Sequence, residues 1–127
     1  MTHPQTAALI DLLERVEAGA GHYDVLAAAN DWAMSIGKSG LYACVMDAYH
    51  GSLDAAKALH DAVLPGWIYD VTNGSAFVIR HCDDDEASNP QFCGECESSA
   101  RAWLIAIIRA LIADTEGRLW QSNRSFR

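Results

Sequence analysis

The stretch Ser99-Ala-Arg-Ala-Trp-Leu-Ile-Ala-Ile-Ile-Arg-Ala-Leu-Ile-Ala113 decides the fold, because so apolar a run in an acidic chain reads as a helix buried in a core. Trp103, Leu104, Ile107, Ile108 and Leu111 form its main stripe, and Ile105 with Ile112 widens the stripe to most of the circumference. Ser98 or Ser99 supplies the N-cap. Arg109 interrupts the run, which is too short for the ~20 apolar residues a bilayer crossing needs, so no membrane span is expected.

Upstream, Trp67-Ile-Tyr-Asp-Val-Thr72 and Ser75-Ala-Phe-Val-Ile-Arg80 flank Asn73-Gly74, a pair that favours a two-residue turn with positive φ at both centres. The resulting hairpin sets Tyr69 against Val78 and Val71 against Ala76 on one face, and Ile68 against Ile79 and Asp70 against Phe77 on the other. Neither face is purely polar. That pattern suits a sheet partly covered on both sides, or one whose outer face meets a partner.

Three further helices precede the hairpin or border it. Leu9, Leu12, Leu13 and Val16 mark one face of a helix from Pro4 to Ala18, with Asp11, Glu14, Arg15 and Glu17 opposite. Asp24 is a candidate cap for a second helix carrying Leu26, Ala29, Trp32, Ala33 and Ile36 and stopping at Gly37. Ser52 caps a third over residues 53 to 64, which Pro65-Gly66 terminates. Leu41-Tyr-Ala-Cys-Val-Met46 is apolar but too short for periodicity to separate strand from helix. Residues 82 to 97 read as a polar loop. The expectation is one α+β domain over 1–117: a small antiparallel sheet built on the 67–80 hairpin, with or without one more strand, packed by helices beside an N-terminal helical pair. A flexible basic tail, 118–127, follows.

The order Tyr49-His-Gly-Ser-Leu-Asp-Ala-Ala-Lys-Ala-Leu, then Leu64-Pro-Gly-Trp67, then Ala100-Arg-Ala-Trp-Leu-Ile-Ala-Ile-Ile-Arg-Ala-Leu111 resembles small phage and prophage proteins of the phage ABA sandwich domain group. The resemblance covers roughly residues 49 to 113 and falls on fold-carrying positions. It implies helix-sheet-helix layering and an origin on a mobile element, and it brings no catalytic residues with it. It also implies an accessory protein of the host bacterial cytoplasm that inhibits a defence component, as anti-CRISPR proteins do. The acidic, cysteine-bearing segment before the last helix departs from the group's pattern.

Net charge is −8 across 127 residues, with 9 Lys and Arg against 17 Asp and Glu. Direct nucleic-acid binding, which draws its affinity from cations on phosphates, is not expected; docking onto a basic surface of a host protein is. Met1-Thr-His-Pro-Gln lacks the basic start and apolar core of a signal peptide, so a cytoplasmic chain is expected.

Candidate site residues concentrate in one segment. Asp83, Asp84, Asp85 and Glu86 form an acidic run fit to face a basic partner; as a Ca²⁺ site it lacks the alternating ligands and glycine of an EF-hand. Cys93-Gly-Glu-Cys96 has zinc-knuckle spacing, Cys82 offers a third sulfur, and His81, with His50 and His60 as alternatives, a fourth ligand. A zinc held there would be structural, closing the segment; free surface thiols are the plainer reading. Gly37-Lys-Ser-Gly40 matches only the end of a phosphate loop and reads as a helix stop and turn. Trp32, Trp67 and Trp103 read as core, whereas Trp120, among tail arginines, reads as an anchor for a partner or for a second subunit in a homodimer. No triad is visible among the histidines and serines, so the expectation is a non-catalytic binding protein; a structural zinc module and a small-molecule or nucleotide-binding protein are the alternatives.

Overall fold

In the computed structural model the backbone is described for residues 4–80 and 91–124, and side chains as far as residue 115. Five helices and three strands follow in the order α1 (Pro4–Ala18), α2 (His22–Ser35), α3 (Leu41–Tyr49), α4 (Leu53–Val63), β1 (Ile68–Thr72), β2 (Ser75–Ile79), β3 (Gln91–Glu95) and α5 (Ser99–Arg124). The chain is α+β, as its patterning predicts.

The apolar run of α5 sits at the centre. Ala102, Leu104, Ala106, Ile107 and Ala110 are fully buried and Trp103, Ile105 and Ile108 nearly so. One side of α5 meets the sheet and the rest meets α1, α3 and α4, while α2 packs on α1 and α3 and stands outermost. Ala102 and Ala106 share a face one turn apart, and their short side chains let the helix backbone reach Gly94 of β3. A Cβ at Gly94 would lie 2.1 Å from the Ala102 carbonyl oxygen and 2.9 Å from the Ala106 nitrogen. Arg109 fastens the same interface: Nη1 donates to the Cys93 carbonyl at 2.6 Å, and Nη2 donates to the Glu17 carboxylate on α1.

The sheet is an antiparallel meander ordered β1-β2-β3. The hairpin register is the one the sequence dictates, with Tyr69 opposite Val78, Val71 opposite Ala76, Ile68 opposite Ile79 and Asp70 opposite Phe77. Its turn differs from expectation. Only Gly74 has positive φ, +83°, and no non-glycine residue does, which is the sign pattern of a type II turn rather than of one with both centres positive. Contacts with the start of α5 override the local preference of Asn73-Gly74. Ser99 Oγ accepts from the Gly74 N–H at 3.1 Å and donates to the Thr72 carbonyl at 3.0 Å, and the Cys96 N–H donates to the Gly74 carbonyl at 3.1 Å.

Several other expectations are corrected. Part of the predicted polar loop is strand: Gln91–Glu95 pairs with Ser75–Ile79 and gives the sheet its third member. The undecided 41–46 stretch is helical, extended by Ala48 and Tyr49, which with Val45 complete the buried face of α3. The N-cap of α2 is Gly21, with Asp24 inside the first turn rather than at the cap. Helix α5 runs on past Gly117 to Arg124, so the tail expected from 118 begins as helix; extending an established helix through one glycine costs only about 1 kcal/mol. The layering also departs from helix-sheet-helix: among the described residues every helix that packs on the sheet does so from one side. No described helix is long and apolar enough to cross a membrane.

Candidate functional site

The pleat sorts the sheet into two faces. Tyr69, Val71, Ala76, Val78, Phe92 and Gly94 point toward α5 and the core. The opposite face is built of three cross-strand rows: Ile68-Ile79-Gln91, Asp70-Phe77-Cys93 and Thr72-Ser75-Glu95. No described element covers it. Ile68 is 49% exposed, Cys93 is exposed, and Phe77 and Ile79 are half-buried. Exposed Asp70 and Glu95 border this apolar centre. The row of Ile68, Ile79 and Gln91 lies at the end of the sheet where β2 ends and β3 begins.

Asp83, Asp84, Asp85 and Glu86 lie outside the described residues, as do His81 and Cys82; Trp120 is placed in α5 by its backbone, its side chain being outside what is described. Of the expected zinc set, Cys93 and Cys96 lie within the described residues. Cys93 lies on the open face opposite Phe77, whereas Cys96, three residues on, packs against the core periphery, because an extended backbone puts positions i and i+3 on opposite faces. The C-x-x-C spacing here starts within β3 and ends one residue beyond it, and its two thiols lie on opposite sides. Among the described residues no three His, Cys, Asp or Glu side chains converge on a point that a metal would occupy.

The alternative ligands are engaged elsewhere. His60, 1% exposed, uses both ring nitrogens: Nε2 donates to the Trp67 carbonyl at 3.0 Å, which leaves Nδ1 to accept from Trp103 Nε1 at 3.4 Å. Tyr69 packs edge-on to the His60 ring, 4.9 Å between centroids, and beside Trp103 at 4.7 Å. This cluster joins α4, β1 and α5. His50 Nε2 lies 2.8 Å from His22 Nδ1. The two rings are within 20° of parallel with centroids 5.1 Å apart, so they meet nearly head-on and hydrogen-bond to each other through these nitrogens.

Two ionisable groups on the surface of α4 depart from their ordinary values. The hydrogen bond from Lys57 holds the Asp61 carboxyl below the usual carboxylate range, and the same bond holds the Lys57 ammonium above the usual lysine value. Neither lies on the open face.

Among the described residues two concavities stand out. One, about 200 Å³, lies where α1, α2, α4 and α5 converge, with Leu9 and Trp32 in its lining and Lys38, Asp114 and Thr115 among its polar groups. It is smaller than the ~300–1,000 Å³ usual for a small-molecule site. The other is an open groove of about 410 Å³ between α2 and α3, lined by Tyr23, Leu26, Ala27, Asn30 and Tyr42. The buried stripe of α2 dominates its sequence pattern and conceals this groove, whose signal is the spacing of Tyr23, Ala27 and Asn30 on the outward side. Gly37-Lys-Ser-Gly40 is the helix stop and turn expected: Gly37 has φ +72°, and the Lys38 N–H closes onto the Ala33 carbonyl.

No family model matches the chain, and neither a curated protein nor a solved structure does.

Proposed function

We propose that this chain is a non-catalytic binding module whose open sheet face captures a protein partner presenting a Lys- and Arg-bearing surface. The observation behind the reading is the row structure of that face: Ile68, Phe77, Ile79 and Cys93 form an apolar centre, bordered by Asp70 and Glu95 and uncovered among the described residues. An apolar core with a charged rim is the anatomy of a protein interface. The rim here is acidic, the sequence between β2 and β3 carries Asp83, Asp84, Asp85 and Glu86, and the whole chain carries −8, so a basic surface is steered toward it. The biological setting that accords with this is a phage or prophage accessory protein acting on a component of bacterial defence; its support is the resemblance over residues 49 to 113.

The test is capture from a bacterial lysate on the immobilised full chain, followed by reconstitution with the purified captured protein. Ile79→Glu, and separately charge reversal of Asp70, Asp83, Asp84 and Asp85 to Lys, are expected to weaken that complex at least tenfold, with affinity falling as salt rises. A complex indifferent to both variants and to salt overturns the reading.

A further inference from the structure

Helix α2 carries an organised face that the fold does not use. Its buried side consists of Val25, Ala28, Ala29, Trp32 and Ala33. On the outward side Tyr23, Ala27, Asn30 and Met34 recur at intervals of four, three and four residues, the spacing with which one helix meets another along a seam. Tyr23 is 80% exposed and Met34 is 63% exposed, while Asn30 Nδ2 reaches the Met34 sulfur at 3.6 Å. Beside the seam, Leu26 and Tyr42 complete the groove between α2 and α3. Tyrosine and methionine are enriched at protein interfaces, and a small residue in mid-seam permits close approach of a second backbone; Ala27 is that residue. The 14 residues of α2 span about 21 Å, enough to seat about four turns.

Charge identifies the occupant. Asp24 and Asp31 are both exposed, and each follows a seam residue by one position, so they line the same flank. A second copy of this chain crossing antiparallel would set that flank against itself and bring four carboxylates together along one seam. A helix bearing Lys or Arg on the facing flank would instead meet two opposite charges. We infer that the α2 groove is a docking site for an amphipathic helix of a protein partner, carrying an apolar three-four seam flanked by Lys or Arg. It is separate from the open sheet face and does not depend on it.

A random-peptide display selection on the full chain tests this, with the enriched peptides synthesised and their binding measured by fluorescence anisotropy. The expected winners have apolar residues at three-four spacing beside Lys or Arg and become helical on binding. Tyr23→Ala and Met34→Ala, both exposed and without a part in the core, are expected to weaken them at least tenfold. Ile79→Glu on the sheet face should leave them unchanged. Selection on an Asp24→Lys, Asp31→Lys variant, its fold verified by circular dichroism, should switch the preference to Glu and Asp. Failure to enrich such helices, enrichment of extended or acidic peptides on the parent chain, or equal binding to the Tyr23→Ala variant would each overturn the inference. So would a dimer of the free chain in sedimentation that Met34→Glu dissolves, since that assigns the groove to a second copy.

Discussion

Gly94→Ala adds one methyl group at the point where strand and helix backbones come closest. The new Cβ would sit 2.1 Å from the Ala102 oxygen and 3.0 Å from Ile105 Cβ. An ordinary carbon-oxygen contact is about 3.3 Å, so α5 must retreat from β3 by roughly 1 Å. No flexible side-chain end is available to yield, since the nearest atoms belong to helix backbone. A gap of that size forfeits a quarter to a half of the dispersion energy of the contacts it opens, about 1–3 kcal/mol for an overpacked core and more when backbone must move. It also stretches the bond from Arg109 to the Cys93 carbonyl and the Ser99 contacts to the hairpin turn. Against this stands about 0.4–1 kcal/mol gained by stiffening the unfolded chain. The expected net loss is about 2–4 kcal/mol, or roughly 10 °C in Tm. Urea unfolding followed by tryptophan fluorescence measures it, with Gly40→Ala as the control: φ there is −65° and nothing lies within 4 Å, so that change should be neutral or slightly stabilising. A Gly94→Ala midpoint within 0.5 M urea of the parent, about 1 kcal/mol at an ordinary m-value, would refute the close packing of α5 on β3.

Four further outcomes follow from the same structure. His60→Ala should cost about 2–4 kcal/mol by chemical denaturation, because it opens a cavity and leaves the Trp67 carbonyl and Trp103 Nε1 without their partner. Arg109→Ala should cost about 1–2 kcal/mol and Glu17→Ala less, since the guanidinium keeps its bond to the Cys93 carbonyl in the second variant. For the Lys57-Asp61 pair the lowered carboxyl value means its stabilising contribution is present above the ordinary Asp range and disappears as pH falls through the lowered value. On the alkaline side the raised Lys57 value makes the contribution fully present below the ordinary lysine range and lost as pH rises through the raised value. An NMR titration should accordingly show the Asp61 carboxyl moving back up toward its ordinary value in Lys57→Met. Cys93→Ser should leave melting unchanged with or without added zinc or chelator; a zinc-dependent rise in Tm that this substitution removes would instead support the zinc knuckle.

How far the sequence discloses this molecule depends on where each element gets its stability. Helices α1 and α4 and the 67–80 hairpin carry their own signals: a continuous apolar stripe, a Ser52 cap, an Asn73-Gly74 turn between alternating residues. Strand β3 carries almost none. Phe92 is the one large apolar residue in Gln91–Glu95, and Gly94 reads as a breaker until α5 lies across it, when the missing side chain becomes the reason the strand belongs there. Helix α3 was illegible in a six-residue window; Val45, Ala48 and Tyr49 show helical periodicity only when the window extends to 49. The turn sign and the span of α5 likewise depend on tertiary contacts and on helix propagation. The mixed character of the outer sheet face was visible from alternation alone. The separation of Cys93 from Cys96 was not, because a C-x-x-C spacing has chelating meaning only once its backbone conformation is known.

Site-resolved alkylation of the native Cys93 thiol, read by mass spectrometry in the free chain and in the reconstituted complex, tests the central claim most directly. Cys93 lies on the open face in the middle row with Asp70 and Phe77, on the edge strand β3. The account predicts rapid modification in the free chain and strong protection in the complex. A thiol already protected when the chain is alone, or one equally reactive with the partner bound, would contradict it.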